Sequence, residues 1–117
     1  MRVGLKPELE FFDVEAIPWQ DLGNGLSERI LSGDPSSGNY TRMLLFHPGV
    51  VTSEGTLAHK FWEEVWIVSG SIEDLRLKQV FRAGMYACRP PGMPHGPWAS
   101  PAGCVTFEVR YHMREAA

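Results

Sequence analysis

The sequence predicts an all-β domain closed into a sandwich, jelly roll or barrel, and three observations carry that reading. Twelve Gly and nine Pro break the 117 residues at short intervals. Between the breaks lie runs rich in Val, Ile, Phe, Trp and Thr, the residue types that suit a pleated, half-buried surface. Helical periodicity is weak throughout. The runs predict strands at 27–31, 40–47, 61–69, 75–81, 85–89 and 104–112. So many short strands leave many unpaired edges, and closure or face-to-face packing is what hides them.

The chain length suits one domain over 1–117, with an N-terminal arm at 1–18 and a barrel at 19–112. The arm and the residue after it carry Phe11, Phe12, Ile17 and Trp19 without clear alternation. That segment is expected to lie across a sheet or against a partner subunit, and a homodimer is the expected assembly. Loops follow the turn residues: Gly and Pro at 32–39, the stretch from His47 to Ala58, Arg82-Ala83-Gly84, and the Pro-rich 90–94.

Net charge is -3 and no Lys/Arg cluster is present, which argues against nucleic acid as a partner. The longest apolar stretches, 43–46 and 65–68, fall far short of the roughly 20 residues that cross a bilayer, so no membrane span is expected. The first residues lack an apolar signal-peptide region, and a cytoplasmic location is the expectation. Cys88 and Cys104 are too far apart for a CxxC motif and are read as buried apolar fillers.

Two segments carry chemistry. From His59 to Ile67, a period of two puts His59, Phe61, Glu63, Val65 and Ile67 on one face and Lys60, Trp62, Glu64 and Trp66 on the other. Glu63 therefore shares a side with the imidazole, and Glu64 takes a surface or interface role. The second segment, 89–98, is a proline-stiffened loop that delivers His95. Such rigidity suits a metal ligand. Taken singly, His59 and His95 are as readily structural as functional.

Together the segments resemble the two motifs of the cupin superfamily. His59, Glu63 and Gly70 fit the end of the first motif; Gly84, Pro90, Gly92 and His95 fit the second. A closer resemblance, over roughly residues 19 to 112, is to the ChrR-like cupin group, which includes an anti-sigma factor zinc domain and looks related to iron-dependent diketone and hydroxyacetophenone dioxygenases. Its marks are Trp19 with Gly25, Pro48-Gly49, Glu63-Glu64, Gly70 with Asp74, the run from Ala83 to Tyr86, Pro90-Pro91-Gly92 with His95-Gly96-Pro97, and Gly103-Cys104.

The resemblance implies a double-stranded β-helix, or jelly-roll barrel, with a divalent metal, Fe(II) or Zn(II), on His59, Glu63 and His95. The family's His-x-His is altered, because Leu57 stands at its first position. Two histidines and one carboxylate remain, the facial set found around non-haem Fe(II). Glu54 or His47 could substitute as a fourth ligand; otherwise His47 is a solvent-facing loop residue.

Arg89 is the candidate catalytic residue. If the family's strand pattern holds, it faces inward, where it either pairs with a glutamate such as Glu108 or binds an anionic substrate. A one-residue shift would put it on the surface. Phe61, Met93, Trp98 and Phe107 are expected to line the substrate pocket, and His112 is expected at the surface. The implied function is a small-molecule enzyme, with dioxygenase cleavage of a diketone or aromatic ketone first and isomerase or lyase chemistry next. A zinc- or ligand-binding sensory cupin, or one that has lost its metal, are the alternatives.

Overall fold

The computed structural model describes residues 6–52 and 57–113. Among them, nine strands form a curled antiparallel sheet: β1 (Gln20–Gly23), β2 (Leu26–Asp34), β3 (Asn39–Phe46), β4 (Val50–Val51), β5 (Trp62–Asp74), β6 (Gln79–Arg82), β7 (Tyr86–Arg89), β8 (Trp98–Ser100) and β9 (Cys104–Tyr111). Two short 3-10 turns, Val14–Ala16 and Pro35–Ser37, supply the helical content of the described residues. The fold is all-β, a cupin jelly-roll barrel.

The sheet order is β1-β2-β3-β9-β5-β8-β4, with β6 and β7 also paired to β5. The long β5 joins the two halves. Its first part pairs with β9 and β7, and its last part with β6 and β8. Between Ile67 and Ser69 its register against β9 slips, a bulge that bends the strand and changes which residues face inward. Glu63, Val65 and Ile67 are buried before the slip; Ile72 and Asp74 are buried after it. At Gly70, φ is +76° and a Cβ would fall 2.1 Å from the Gly103 carbonyl oxygen, so only glycine lets the strands approach there.

Alternation on β3 and β9 completes the wall. Leu44 and Phe46 point into the core with Ile67, Ile72, Val50, Trp98 and Cys104, against partly buried Leu26, Phe81 and Met85. Each large side chain so buried contributes about 1.5–3 kcal/mol. On the outer face of β2, Arg29 is buried beneath the arm: its guanidinium lies 3.9 Å from the Trp19 ring centroid and donates to the Val14 carbonyl at 2.7 Å. The arm therefore crosses a sheet at 14–19, while Phe11 before it is fully exposed.

Several expectations need correction. The segment 75–81 is not one strand: Leu75 to Lys78 form a turn because buried Asp74 accepts the backbone N–H groups of Arg76 and Leu77, both at 2.9 Å, and pairing resumes only at Gln79. The short strands β1, β4 and β8 were not predicted. Cys104 is buried as expected, whereas Cys88 is exposed, since it alternates with inward-facing Ala87 and Arg89 on β7.

Candidate metal centre

Three elements bring the triad together. Glu63 extends from the start of β5, and its side chain is buried. His59 lies in the loop ahead of that strand, so it need not sit four extended residues from Glu63. His95 ends the Pro-rich loop after β7. Leu57 and His95 exchange backbone hydrogen bonds at 2.8 and 2.9 Å, and Gly92 N–H donates to the His59 carbonyl at 2.9 Å. These bonds hold the two loops together and put the imidazole centroids 4.7 Å apart.

One potential ligand atom from each of His59, Glu63 and His95 lies within 4.8 Å of the others. Two metal–ligand bonds of about 2.1 Å meet at one ion across at most about 4.2 Å, so a triad of this width is close to the span that one ion needs. His59 Nε2 is buried and, among the described residues, has no hydrogen-bond partner. An orphaned buried imidazole nitrogen beside a second imidazole and a carboxylate is the donor set that fits a divalent metal.

Burial lowers the proton affinity of both histidines, with Arg110 acting further on His59 and Arg89 on His95, which favours the neutral ligand forms. For Glu63, burial pushes the carboxyl up, but Arg110 and Arg89 more than offset this and hold it below the usual carboxylate range. Register explains the pair: Glu63 lies directly opposite Arg89 of β7 on one side and Arg110 of β9 on the other. Arg89 Nη1 donates to Glu63 Oε1 at 2.7 Å. Arg110 Nη2 is 2.5 Å from Oε2, an ionic contact out of line for a hydrogen bond.

Arg89 thus faces inward, but its partner is Glu63 and not Glu108. Glu108 is engaged elsewhere, by Arg42 Nε at 2.9 Å, the Thr106 hydroxyl at 2.8 Å and Arg110 at 3.4 Å. Arg42 also bonds Glu28 at 2.8 Å. Sequence reasoning missed Arg42, Arg110 and Glu28. Arg110 stands two residues after Glu108 and shares its face, the one signal available beforehand.

The triad opens on a cavity of about 350 Å³ whose walls include Leu26, Leu44, Phe46, Val65, Ile72 and Trp98. Phe61 is a correction: it stacks on His59 with centroids 4.7 Å apart and lines neither this cavity nor the smaller one beside it. Met93 lines a second, smaller cavity of about 150 Å³ that shares Arg89, His95 and Trp98 with the first. Phe107 is a correction: Thr106, Glu108 and Arg110 face the cavity, so alternation turns Phe107 outward, opposite Trp66 and Met43.

Leu57 reaches the cavity rim where the expected first histidine is missing. His47 is exposed and its Nε2 lies 2.9 Å from the Ser27 hydroxyl, outside the triad. Glu54 falls outside the described residues. Glu64 lies on the outer face, where the hydroxyls of Tyr86 and Tyr111 donate to its carboxylate. His112 is exposed. No helix among the described residues is long and apolar enough to cross a membrane.

Comparison with known proteins agrees with this fold. An RmlC-like cupin from Shewanella frigidimarina superposes with a TM-score of 0.71 at 22% identity, covering 92% of this chain and 95% of that one. A putative acetylacetone dioxygenase from Methylibium petroleiphilum gives 0.72 at 14% identity, over 93% and 81%. The anti-sigma factor ChrR of Rhodobacter sphaeroides, solved with SigE, gives 0.66 at 21% identity; 85% of this chain is covered, and it spans 51% of ChrR. No curated protein matches. The ChrR Cupin-like domain profile matches residues 8–114, and the chain belongs to that family.

Proposed function

We propose that this chain is a metal-dependent enzyme acting on a small organic molecule inside the barrel, with His59, Glu63 and His95 holding Fe(II) or another divalent ion. The convergence of these three groups around the orphaned His59 Nε2 carries the reading. A bound ion supplies Lewis acidity and coordination positions for a bidentate substrate and O2. Neutral imidazoles and an ionised Glu63 present the ligand forms such an ion needs. The apolar wall would restrict water and pack the substrate's carbon skeleton, and Arg89, one of three arginines bordering the cavity, would meet its polar end.

Cleavage of a C–C bond in a diketone or aromatic ketone is the first reaction to test. The similarity to acetylacetone dioxygenase supports this choice. A second reading, a cupin that has lost its metal and keeps only a binding pocket, is favoured by the two ion pairs already on Glu63; the resemblance to the ChrR group supports a third, a zinc- or ligand-binding sensory cupin without turnover. A homodimer is supported by the exposed Leu9, Phe11 and Phe12 of the arm.

Metal analysis of protein purified without added ions, followed by oxygen uptake on a diketone panel, tests the proposal. Bound iron with oxygen consumption is expected. Inert stoichiometric zinc selects the sensory reading, and absence of any metal rejects both metal-based readings. His95→Ala should abolish metal retention while Glu64→Gln leaves it intact; equal loss from both contradicts the assignment of Glu63 as the inward ligand.

A further inference from the structure

The inner face of the barrel carries Arg42, Arg89 and Arg110 against Glu28, Glu63 and Glu108, a balanced set of charges, each buried or mostly so. The balance is shared unevenly. Arg42 has two carboxylate partners. Arg110 has Glu63, Glu108 at 3.4 Å and the Tyr40 hydroxyl at 2.6 Å. Arg89 has Glu63 alone among the described residues, with its guanidinium 5.2 Å from the Trp98 ring centroid.

A divalent ion on the triad would draw on the same carboxylate. One negative charge would then serve an ion and two guanidinium groups in a buried site, and the excess positive charge is costly unless an anion enters. Arg110 keeps two other partners when Glu63 turns to the metal; Arg89 keeps none. Its side chain is 13% exposed, so water replaces little of what it loses.

We propose that Arg89 is an anion-recognition residue, released from Glu63 when metal loads, and that the substrate is a small organic anion, a carboxylate or enolate, held between the metal and the Arg89 guanidinium. This rests on the metal reading above. Arg89 borders both cavities beside His95 and Trp98, which places the anionic end there and the apolar body against Leu44, Phe46 and Val65. The planar guanidinium is suited to bidentate recognition of a carboxylate.

Zinc and benzoate are suitable probes. Zinc affinity is measured first by chelator competition on the wild type, Arg89→Gln and Arg89→Lys, with melting curves to establish folding. Benzoate is then titrated calorimetrically into apo and zinc-loaded protein. The proposal predicts that Arg89→Gln binds zinc as tightly as the wild type or tighter, because a competitor for Glu63 is gone. Benzoate should bind zinc-loaded wild type at least about tenfold more tightly than zinc-loaded Arg89→Gln, the size of one charge-assisted contact, with Arg89→Lys between them.

Loss of zinc from folded Arg89→Gln would make Arg89 a positioning residue for Glu63 and overturn the proposal. So would benzoate affinity that ignores either zinc or the substitution. Failure of the wild type to bind zinc at all overturns the metal reading itself, before benzoate is added.

Discussion

Replacing Glu108 by Gln tests whether the inner charge network is dry and structural. Glu108 is 4% exposed and accepts from Arg42 at 2.9 Å and from Thr106 at 2.8 Å, with Arg110 at 3.4 Å. Glutamine keeps the shape but removes the charge, so three guanidinium groups face two carboxylates. Arg42 falls back on Glu28, and Arg110 presses further on Glu63. Removing one partner of a buried pair costs about 3–5 kcal/mol. Because Arg42 and Arg110 each keep another carboxylate, the lower end is expected, about 3 kcal/mol. For a domain of this size that lowers the melting temperature by on the order of 10 °C. Urea unfolding of apo protein at neutral pH measures it directly. A loss below about 1 kcal/mol, the range of an exposed pair, would mean that water already screens the network and would refute the buried-charge reasoning.

Burial lowers both histidines below their ordinary value of 6.5, so zinc affinity should hold as the pH falls through 6.5 and drop only beneath it; a decline starting above 6.5 contradicts the assignment. Stability should follow the same direction. What the neutral histidines contribute is complete above 6.5 and is lost as the pH falls toward their lowered values, and what Glu63 contributes is present above its ordinary 4.5 and is lost as the pH falls through its depressed value. Leu57→His should raise zinc affinity by at least about tenfold by supplying a further imidazole at the cavity rim, read by chelator competition; an unchanged affinity would mean that the position does not reach the ion. One of the two thiols should react rapidly with a thiol reagent in the native protein, because Cys88 is exposed whereas burial pushes Cys104 up to about 11; rapid reaction of both refutes the inward placement of Cys104.

The triad was legible because spacing within two motifs is a property of the sequence itself. His59, Glu63, Gly70, Pro90, Gly92 and His95 needed no knowledge of which strands pair. The inward face of Arg89 follows from the family's strand pattern, yet its partner does not, because pairing with Glu63 and not Glu108 depends on the register of β7 and β9 against β5. Arg42 and Arg110 went unnoticed for the same reason. The turn at 75–78 was hidden by its alternation of Leu with Arg and Lys, which imitates a strand until Asp74 captures the backbone. The aromatic character of Phe107 suggests the pocket, but it neighbours inward-facing Glu108, and two adjacent strand residues cannot share a face. Cys88 shows the same error, with composition outweighing alternation.

Anomalous diffraction at the metal absorption edge, from crystals of protein purified without added ions, shows whether an ion sits on the triad. A single peak within bonding distance of His59, Glu63 and His95 is expected. A peak elsewhere, or none while Glu63 stays bridged to Arg89 and Arg110, would contradict the metal reading.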